Sequence, residues 1–266
     1  MRSHPARIHL GVSSAQVLVR ASGTTASRYS MLLTDDPDEV RAAQRLRHRV
    51  FADELGAVLR TPVPGLDVDR FDAHCDHLVV RDDTTGEIVA TCRLLPPERA
   101  AAAGGLYAQG EFDMTALAPL LPSTVEVGRS CVHPDHRDGP VVELVRAGIA
   151  GYLVLTGHRW ATGCASVPLA DGGRQAAGVW DRVLARHLAP PQHVVQPRRP
   201  WDPRGVRRHL RSQPPPLLRG YLRLGAWVCG PPAYDPDFHS ADFLVLLGLD
   251  HVDPRRLRQV LGGRRL

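Results

Sequence analysis

A mixed α/β domain built on one sheet is the fold class this sequence predicts, and three observations carry it. Apolar, β-branched runs at 78–80, 88–95, 125–132 and 160–167 have the length and composition of strands. Helical spacing interrupts them at 40–55, 141–152 and 175–187. The resulting order of hairpin, strand, helix and strand mixes antiparallel and parallel neighbours in one sheet. With 266 residues, 43% of them hydrophobic, the chain can bury a core of ordinary size.

Each element follows from local chemistry. Residues 1–28 are rich in Ser, Ala, Thr and Arg, with weak periodicity. They predict a poorly ordered leader to a single domain over 29–262. Tyr29 to Leu33 is a short apolar run and reads as the first strand. Asp36-Pro37-Asp38-Glu39 then opens a helix, with an acidic cap, proline in the first turn and glutamate three residues after the cap. Val40, Ala43, Leu46, Val50 and Leu55 continue it. Asp82-Asp83-Thr84-Thr85-Gly86-Glu87 separates two apolar runs with turn composition, which makes a hairpin. Val125–Val132 is a strand feeding a helix with one apolar face at Val141, Val145, Ile149 and Tyr152. A strand at Trp160–Val167 and a helix at Gln175–His187 follow. The stretch 189–216 is rich in Pro and Arg and reads as an excursion. A short helix at Leu217–Leu224 and strands near Ala226–Cys229 and Phe243–Leu247 complete the chain.

Composition excludes some chemistry. All 33 basic residues are arginine, so a lysine nucleophile or Schiff base is ruled out. The net charge is +5. No unbroken apolar run approaches the ~18 residues of a membrane span, and no continuous apolar stretch near the N-terminus predicts a signal peptide. Five dispersed cysteines without CxxC spacing fit reduced thiols, hence a cytoplasmic protein.

Five groupings of residues carry candidate chemistry. Glu126 and Arg129 are three apart, which in a regular strand sends them to opposite faces. A bulge hosted by Gly128 would restore a common face and splay the strand from its neighbour. The carboxylate could then take a proton from an attacking amine; the same residues also read as a strand acid and base paired across the sheet. Arg137, Asp138, Gly139 and Val141 surround a helix start, which exposes backbone N–H groups suited to a phosphate or serves as an ordinary capped turn. Asp67, Asp69 and Asp72 concentrate negative charge on a short loop, able to hold a cation or to orient Arg47 and Arg93. That loop lacks the glycine and terminal glutamate of a calcium site, and His74, Cys75 and His77 have no second ligand pair for zinc, so no metal is expected. Arg47 and Phe51 share a helix face. Finally Arg198, Arg199, Arg204, Arg207, Arg208 and Arg211 cluster around Trp201. This patch suits an acidic protein or an anionic membrane surface, and no nucleic-acid motif accompanies it.

Several of these segments together resemble one family. They are Leu46–Phe51, Asp69–Asp72 with Cys75–Leu78, Cys92–Leu95, Glu111–Asp113, Glu126–Pro134, Pro216–Ala226 and Asp235–Phe238. Their order and number make the chain similar to the ornithine N-acyltransferases of the GNAT superfamily, and more distantly to acyl-homoserine-lactone synthases. The resemblance implies a GNAT fold, a bent mixed sheet splayed at its centre and flanked by helices. It implies no bound cofactor: the donor is an acyl-phosphopantetheine thioester carrying a (3-hydroxy)fatty acyl group on an acyl carrier protein, with acyl-CoA as the alternative. The acceptor is the α-amine of ornithine or a similar amino acid, the first step of ornithine-lipid synthesis. Another amine acceptor, including lactone-type synthesis, is the alternative.

The resemblance also assigns residues. Glu126 and Arg129 are the catalytic pair. Arg47, Phe51, Asp67, Asp69, Asp72 and Arg93 complete the cluster and bind substrate. An activated thioester needs no covalent nucleophile, which leaves Ser130 and Cys131 as wall residues. An acidic carrier protein would dock faster on a basic surface, and the enzyme is expected in the cytoplasm or peripheral at the membrane's inner face. Phe238-His239-Ser240-Ala241-Asp242 departs from the family's more polar segment, which bears on the acceptor.

Overall fold

The computed structural model describes residues 16–20, 28–137, 139–209 and 212–261. The chain begins with β1 (Gln16–Arg20) and β2 (Tyr29–Thr34), then α1 (Pro37–His48). Asp36 caps α1 as its sequence requires, its carboxylate accepting the Asp38 and Glu39 N–H groups at 2.9 and 3.1 Å. A π-helical turn, Arg49–Glu54, extends the helix, and the loop to Cys75 follows. The hairpin is β3 (Asp76–Asp82) and β4 (Ile88–Leu95). Next come the short α2 (Pro97–Ala100), β5 (Phe112–Asp113), β6 (Thr124–Val132), α3 (Pro140–Thr156), β7 (Trp160–Pro168) and α4 (Arg174–Arg186). After β8 (Gln196–Pro197) and α5 (Pro216–Arg223), the chain closes with β9 (Trp227–Val228), β10 (Ala233–Asp235), β11 (Ser240–Gly248) and α6 (Pro254–Val260).

The main sheet runs β1-β2-β3-β4-β6-β7-β11-β10, with β9 also on β11, while β5 and β8 pair separately. Every neighbouring pair is antiparallel except β6 and β7. The sequence reading is corrected in one respect here. Gln16–Arg20, assigned to a disordered leader, form β1 against β2. Of the remaining leader residues, 1–15 and 21–27 lie outside the described part.

The centre of the sheet positions the site. The parallel ladder of β6 and β7 has three pairs, Thr124↔Trp160, Val125↔Ala161 and Glu126↔Thr162. Beyond them both strands continue without pairing to each other. Gly163 stands at the fork: a Cβ there would meet the Val127 carbonyl oxygen at 2.2 Å, so only glycine fits. On the other side of β6 the ladder with β4 shifts register between Thr91↔Cys131 and Arg93↔Gly128. One extra residue of β6 therefore lies opposite Cys92.

The two faces of the sheet are covered differently. Strand alternation sends Val125, Val127, Ala161, Ala165, Phe243 and Val245 to the large core under α3, α4 and α5. The close approach of α3 depends on Gly148, where a Cβ would meet Met31 Sδ at 2.3 Å and Leu78 Cδ1 at 2.4 Å. The opposite face carries α1 and the segment 97–121, whose Leu106, Phe112 and Leu117 pack with Leu244 and Leu246 of β11.

Candidate functional site

A cavity of about 270 Å³ occupies the fork between β6 and β7. Its wall includes Phe51, Arg93, Tyr107, Glu126 and Arg129 on the α1 side of the sheet, and Val127, Ala165, Leu217, Leu218, Tyr221 and Val245 on the side of α5. The parted strands thus let one space reach both faces, a polar chamber on one and an apolar chamber on the other.

Glu126 is the last β6 residue to pair with β7. Its side chain is buried, and its two oxygens accept the Tyr107 and Ala108 N–H groups at 2.7 and 2.8 Å. Burial raises its pKa; the two backbone N–H groups and Arg93 oppose that without cancelling it. The result is a stronger base than an ordinary glutamate, fixed in orientation.

Arg129 reaches the same chamber because of the bulge. The extra residue restores a common face for Glu126 and the strand beyond it, as the three-residue spacing required. The turn in the backbone falls one residue later than expected, however. Arg129 itself, not Gly128, adopts φ +50°. A side chain in this region costs about 1–2 kcal/mol, and three contacts hold it there. Arg129 Nε donates to Asp67 Oδ2 at 3.1 Å, and the guanidinium lies over the rings of Tyr107 and Phe238 at 5.1 and 5.3 Å. Burial lowers its pKa, and Asp67, with Tyr107 and Asp69, together more than offset that.

Arg93 and Arg47 belong to the same network. Arg93 Nη1 donates to Asp69 Oδ1 at 2.5 Å and to Asp72 Oδ2 at 3.0 Å, while Nη2 reaches Asp69 Oδ2 at 3.0 Å. Arg47 is fully buried. Its Nε donates to Asp67 Oδ2 at 2.9 Å, and its Nη2 to Asp72 Oδ1 at 2.7 Å and to the Asp67 carbonyl. Three arginines and three aspartates therefore alternate in one lattice of charge-assisted bonds.

The sequence offered two uses for the aspartate loop, and the geometry separates them. Asp67, Asp69 and Asp72 are engaged by guanidinium groups and do not line the cavity; neither does Arg47. They brace Arg93 and Arg129 from behind rather than facing a cationic substrate. Phe51 does line the cavity, edge-on to Phe238 with ring centroids 5.4 Å apart. It sits on the π-helical turn, which alters the regular four-residue spacing from Arg47. His77 contacts the Asp72 carbonyl through Nε2 at 3.1 Å.

The helix start is only partly available. Asp138 lies outside the described residues. Arg137 is held by Glu54 at 2.5 and 2.6 Å and by the Val132 carbonyl at 3.1 Å, and the Val141 side chain is buried in the core. What remains toward solvent is the backbone of the first turn of α3, preceded by Gly139, which has no side chain to cap it.

The arginine patch is less uniform than its sequence. Arg204 pairs with Asp202, Arg208 with Asp181, and Arg198 Nε donates to the Gln109 carbonyl at 2.8 Å. Trp201 is not a free surface aromatic: it packs against the core, beside Gly173. Arg211 lies outside the described residues.

Several cavity residues escaped the sequence reading. Tyr107 supplies both a ring under Arg129 and a backbone N–H to Glu126. Cys164, Asp235 and Asp242 also line the cavity. The signals in the sequence were Asp235, in a segment shared with the family, and Asp242, in the segment that departs from it.

Comparison with known proteins places the chain. The acetyltransferase (GNAT) domain family matches residues 46–147. The chain is 34% identical over 240 residues to the L-ornithine N(alpha)-acyltransferase of Agrobacterium fabrum, covering 82% of this chain and 80% of that protein. It is 35% identical over 235 residues to the enzyme of the same name from Rhodobacter capsulatus, covering 82% and 89%. Among solved structures, the CoA-dependent acyl-homoserine lactone synthase BjaI aligns with a TM-score of 0.52 at 17% identity over 85% of this chain and 83% of that one. FeeM, an N-acyl amino acid synthase from uncultured soil microbes, aligns with a TM-score of 0.52 at 12% identity over 86% and 94%. These two likenesses are of fold.

Proposed function

The chain belongs to the L-ornithine N(alpha)-acyltransferase family and is a GNAT N-acyltransferase, and from that premise we propose that it moves a (3-hydroxy)fatty acyl group from a phosphopantetheine thioester to the α-amine of ornithine. The donor is an acyl carrier protein, and the product is the precursor of an ornithine lipid. The single observation that carries the reading is the cavity that crosses the sheet, with Glu126 and Arg129 on its polar side and apolar residues of α5 on the other.

The chemistry follows from that arrangement. The acceptor enters the polar chamber as an ammonium. Arg129 binds its carboxylate, and Glu126 takes one proton from the nitrogen, directly or through water. The neutral amine attacks the thioester carbonyl carbon, forming a C–N bond and a tetrahedral oxyanion. Collapse breaks the C–S bond, and the sulfur leaves as a thiol with a proton released from the amine. The thioester is already activated, so positioning and charge stabilisation suffice. The acyl tail lies in the apolar chamber beside Leu217, Leu218 and Tyr221. The pantetheine arm follows the unpaired edges of β6 and β7, and its phosphate meets the first turn of α3.

The donor is tested by supplying the same acyl group on carrier protein and on CoA to purified enzyme with ornithine. Preference for carrier protein supports the reading; turnover only with CoA overturns that part. Lipid mass spectrometry of cells with and without the gene tests the acceptor, through the presence or loss of N-acylated ornithine.

A further inference from the structure

Asp242, in the wall of the polar chamber, and Glu111, behind it, have no task in the scheme above. Asp242 lies on β11 and Glu111 immediately before β5. Asp242 is 2% exposed and lines the cavity. Its Oδ1 accepts the Ser240 hydroxyl at 2.6 Å. Glu111 directs its carboxylate at Asp242, and Cys164 Sγ completes a trio whose polar atoms lie within 4.8 Å of one another. Both Glu111 oxygens are sealed from solvent without a hydrogen bond of regular geometry, the Cys164 thiol and the Tyr107 hydroxyl being their nearest donors. No arginine or histidine pairs with Glu111 or Asp242 among the described residues.

We propose that Glu111 and Asp242 bind the second, side-chain ammonium of the acceptor and so select a diamino acid over a neutral one. This rests on amino-acid N-acylation at the same cavity, as set out above.

Three arguments converge. Two sealed carboxylates side by side without a counter-charge are unfavourable, and a group with three N–H donors supplies what both lack. Burial, then the mutual repulsion of Glu111 with Asp242 and Asp235, raises the Glu111 pKa, so the pair lacks a counter-charge within the protein. Strand alternation puts Glu126, Cys164 and Asp242 on the same face of the sheet, while Arg129 stands on β6 across the fork. One chamber therefore offers a guanidinium to a carboxylate, a base to an α-amine and, to a distal amine, Asp242 backed by Glu111. A zwitterion with a cationic tail matches all three. Burial, with both neighbouring carboxylates, also raises the Cys164 pKa and keeps the free thiol protonated.

The test compares L-ornithine with L-norvaline, which lacks only the distal amine, in the wild type and in Glu111→Gln and Asp242→Asn, with the thioester donor that supports wild-type turnover. The wild type is expected to favour ornithine in kcat/KM by ~100-fold or more, and either variant to reduce that ratio at least ~10-fold, chiefly through KM. Glu111→Gln keeps the side chain's size and shape and decides the matter if Asp242→Asn does not fold. A wild type that favours ornithine alongside variants with an unchanged ratio overturns the subsite alone; this is also the result if the pair acts on the α-amine, since both acceptors then lose equally. A wild-type ratio erased by EDTA assigns the pair to a metal and overturns it too. A wild type that acylates neither acceptor overturns the parent reading and the subsite with it.

Discussion

One oxygen of Asp67 holds two arginines: Oδ2 accepts Arg47 Nε at 2.9 Å and Arg129 Nε at 3.1 Å. Arg47 is buried behind the site and Arg129 lines it, so this atom joins the scaffold to the chemistry. The two arginines should consequently fail in different ways.

Arg47→Met leaves Asp67 and Asp72 short of a buried partner, and breaking such a pair costs about 3–5 kcal/mol. A large fall in the unfolding midpoint is expected, with acceptor KM close to wild type in whatever folds. Calorimetry and steady-state kinetics together check this, and an unchanged midpoint would remove Arg47 from the scaffold.

Arg129 should be separable from stability by choice of replacement. Glycine accepts φ +50° and alanine does not, so Arg129→Gly should be more stable than Arg129→Ala by about 1 kcal/mol, or roughly 2–4 °C in midpoint. Both should lose turnover alike. Equal midpoints would mean that the bulge relaxes when the arginine goes.

Replacing Glu126 with glutamine should slow acyl transfer by ~10- to 10,000-fold. Because burial raises the glutamate's pKa, the wild-type rate should climb with pH through a point above the ordinary glutamate range. That limb should vanish in Glu126→Gln. A rate within about twofold of wild type would assign proton removal elsewhere.

Glu111 and Asp242 predict how stability depends on pH. Both have folded-state pKa values raised by burial. Their contribution is therefore fully present below the ordinary carboxylate range and is lost as pH climbs through the raised values toward neutrality. The unfolding midpoint of the double variant Glu111→Gln/Asp242→Asn should fall less over that interval than that of the wild type.

Local chemistry made much of the fold legible. Asp36-Pro37 marked the start of α1, the turn after Asp82 marked the hairpin, and the apolar runs marked β6, β7 and most of β11. The bulge was legible in kind, because an acid and a base three apart on a strand cannot otherwise share a face. Its position was not: glycine is the cheaper host, and only Asp67, Tyr107 and Phe238, from three distant parts of the chain, make Arg129 the one that turns. The π-helical turn and the meeting of Glu111 with Asp242 are invisible for the same reason, being set by contacts between segments over 100 residues apart in the latter case. Gln16–Arg20 have no periodicity to announce β1, which needs the edge of β2 to exist.

The opening between β6 and β7 also constrains how the reaction ends. In the proposed reaction a finished N-acyl amino acid straddles the sheet like a toggle in a buttonhole, head on one side and tail on the other. The direct way out is then sideways, along the unzipped stretch. The longer the tail, the slower this exit, and with long chains the first turnover should outpace all later ones.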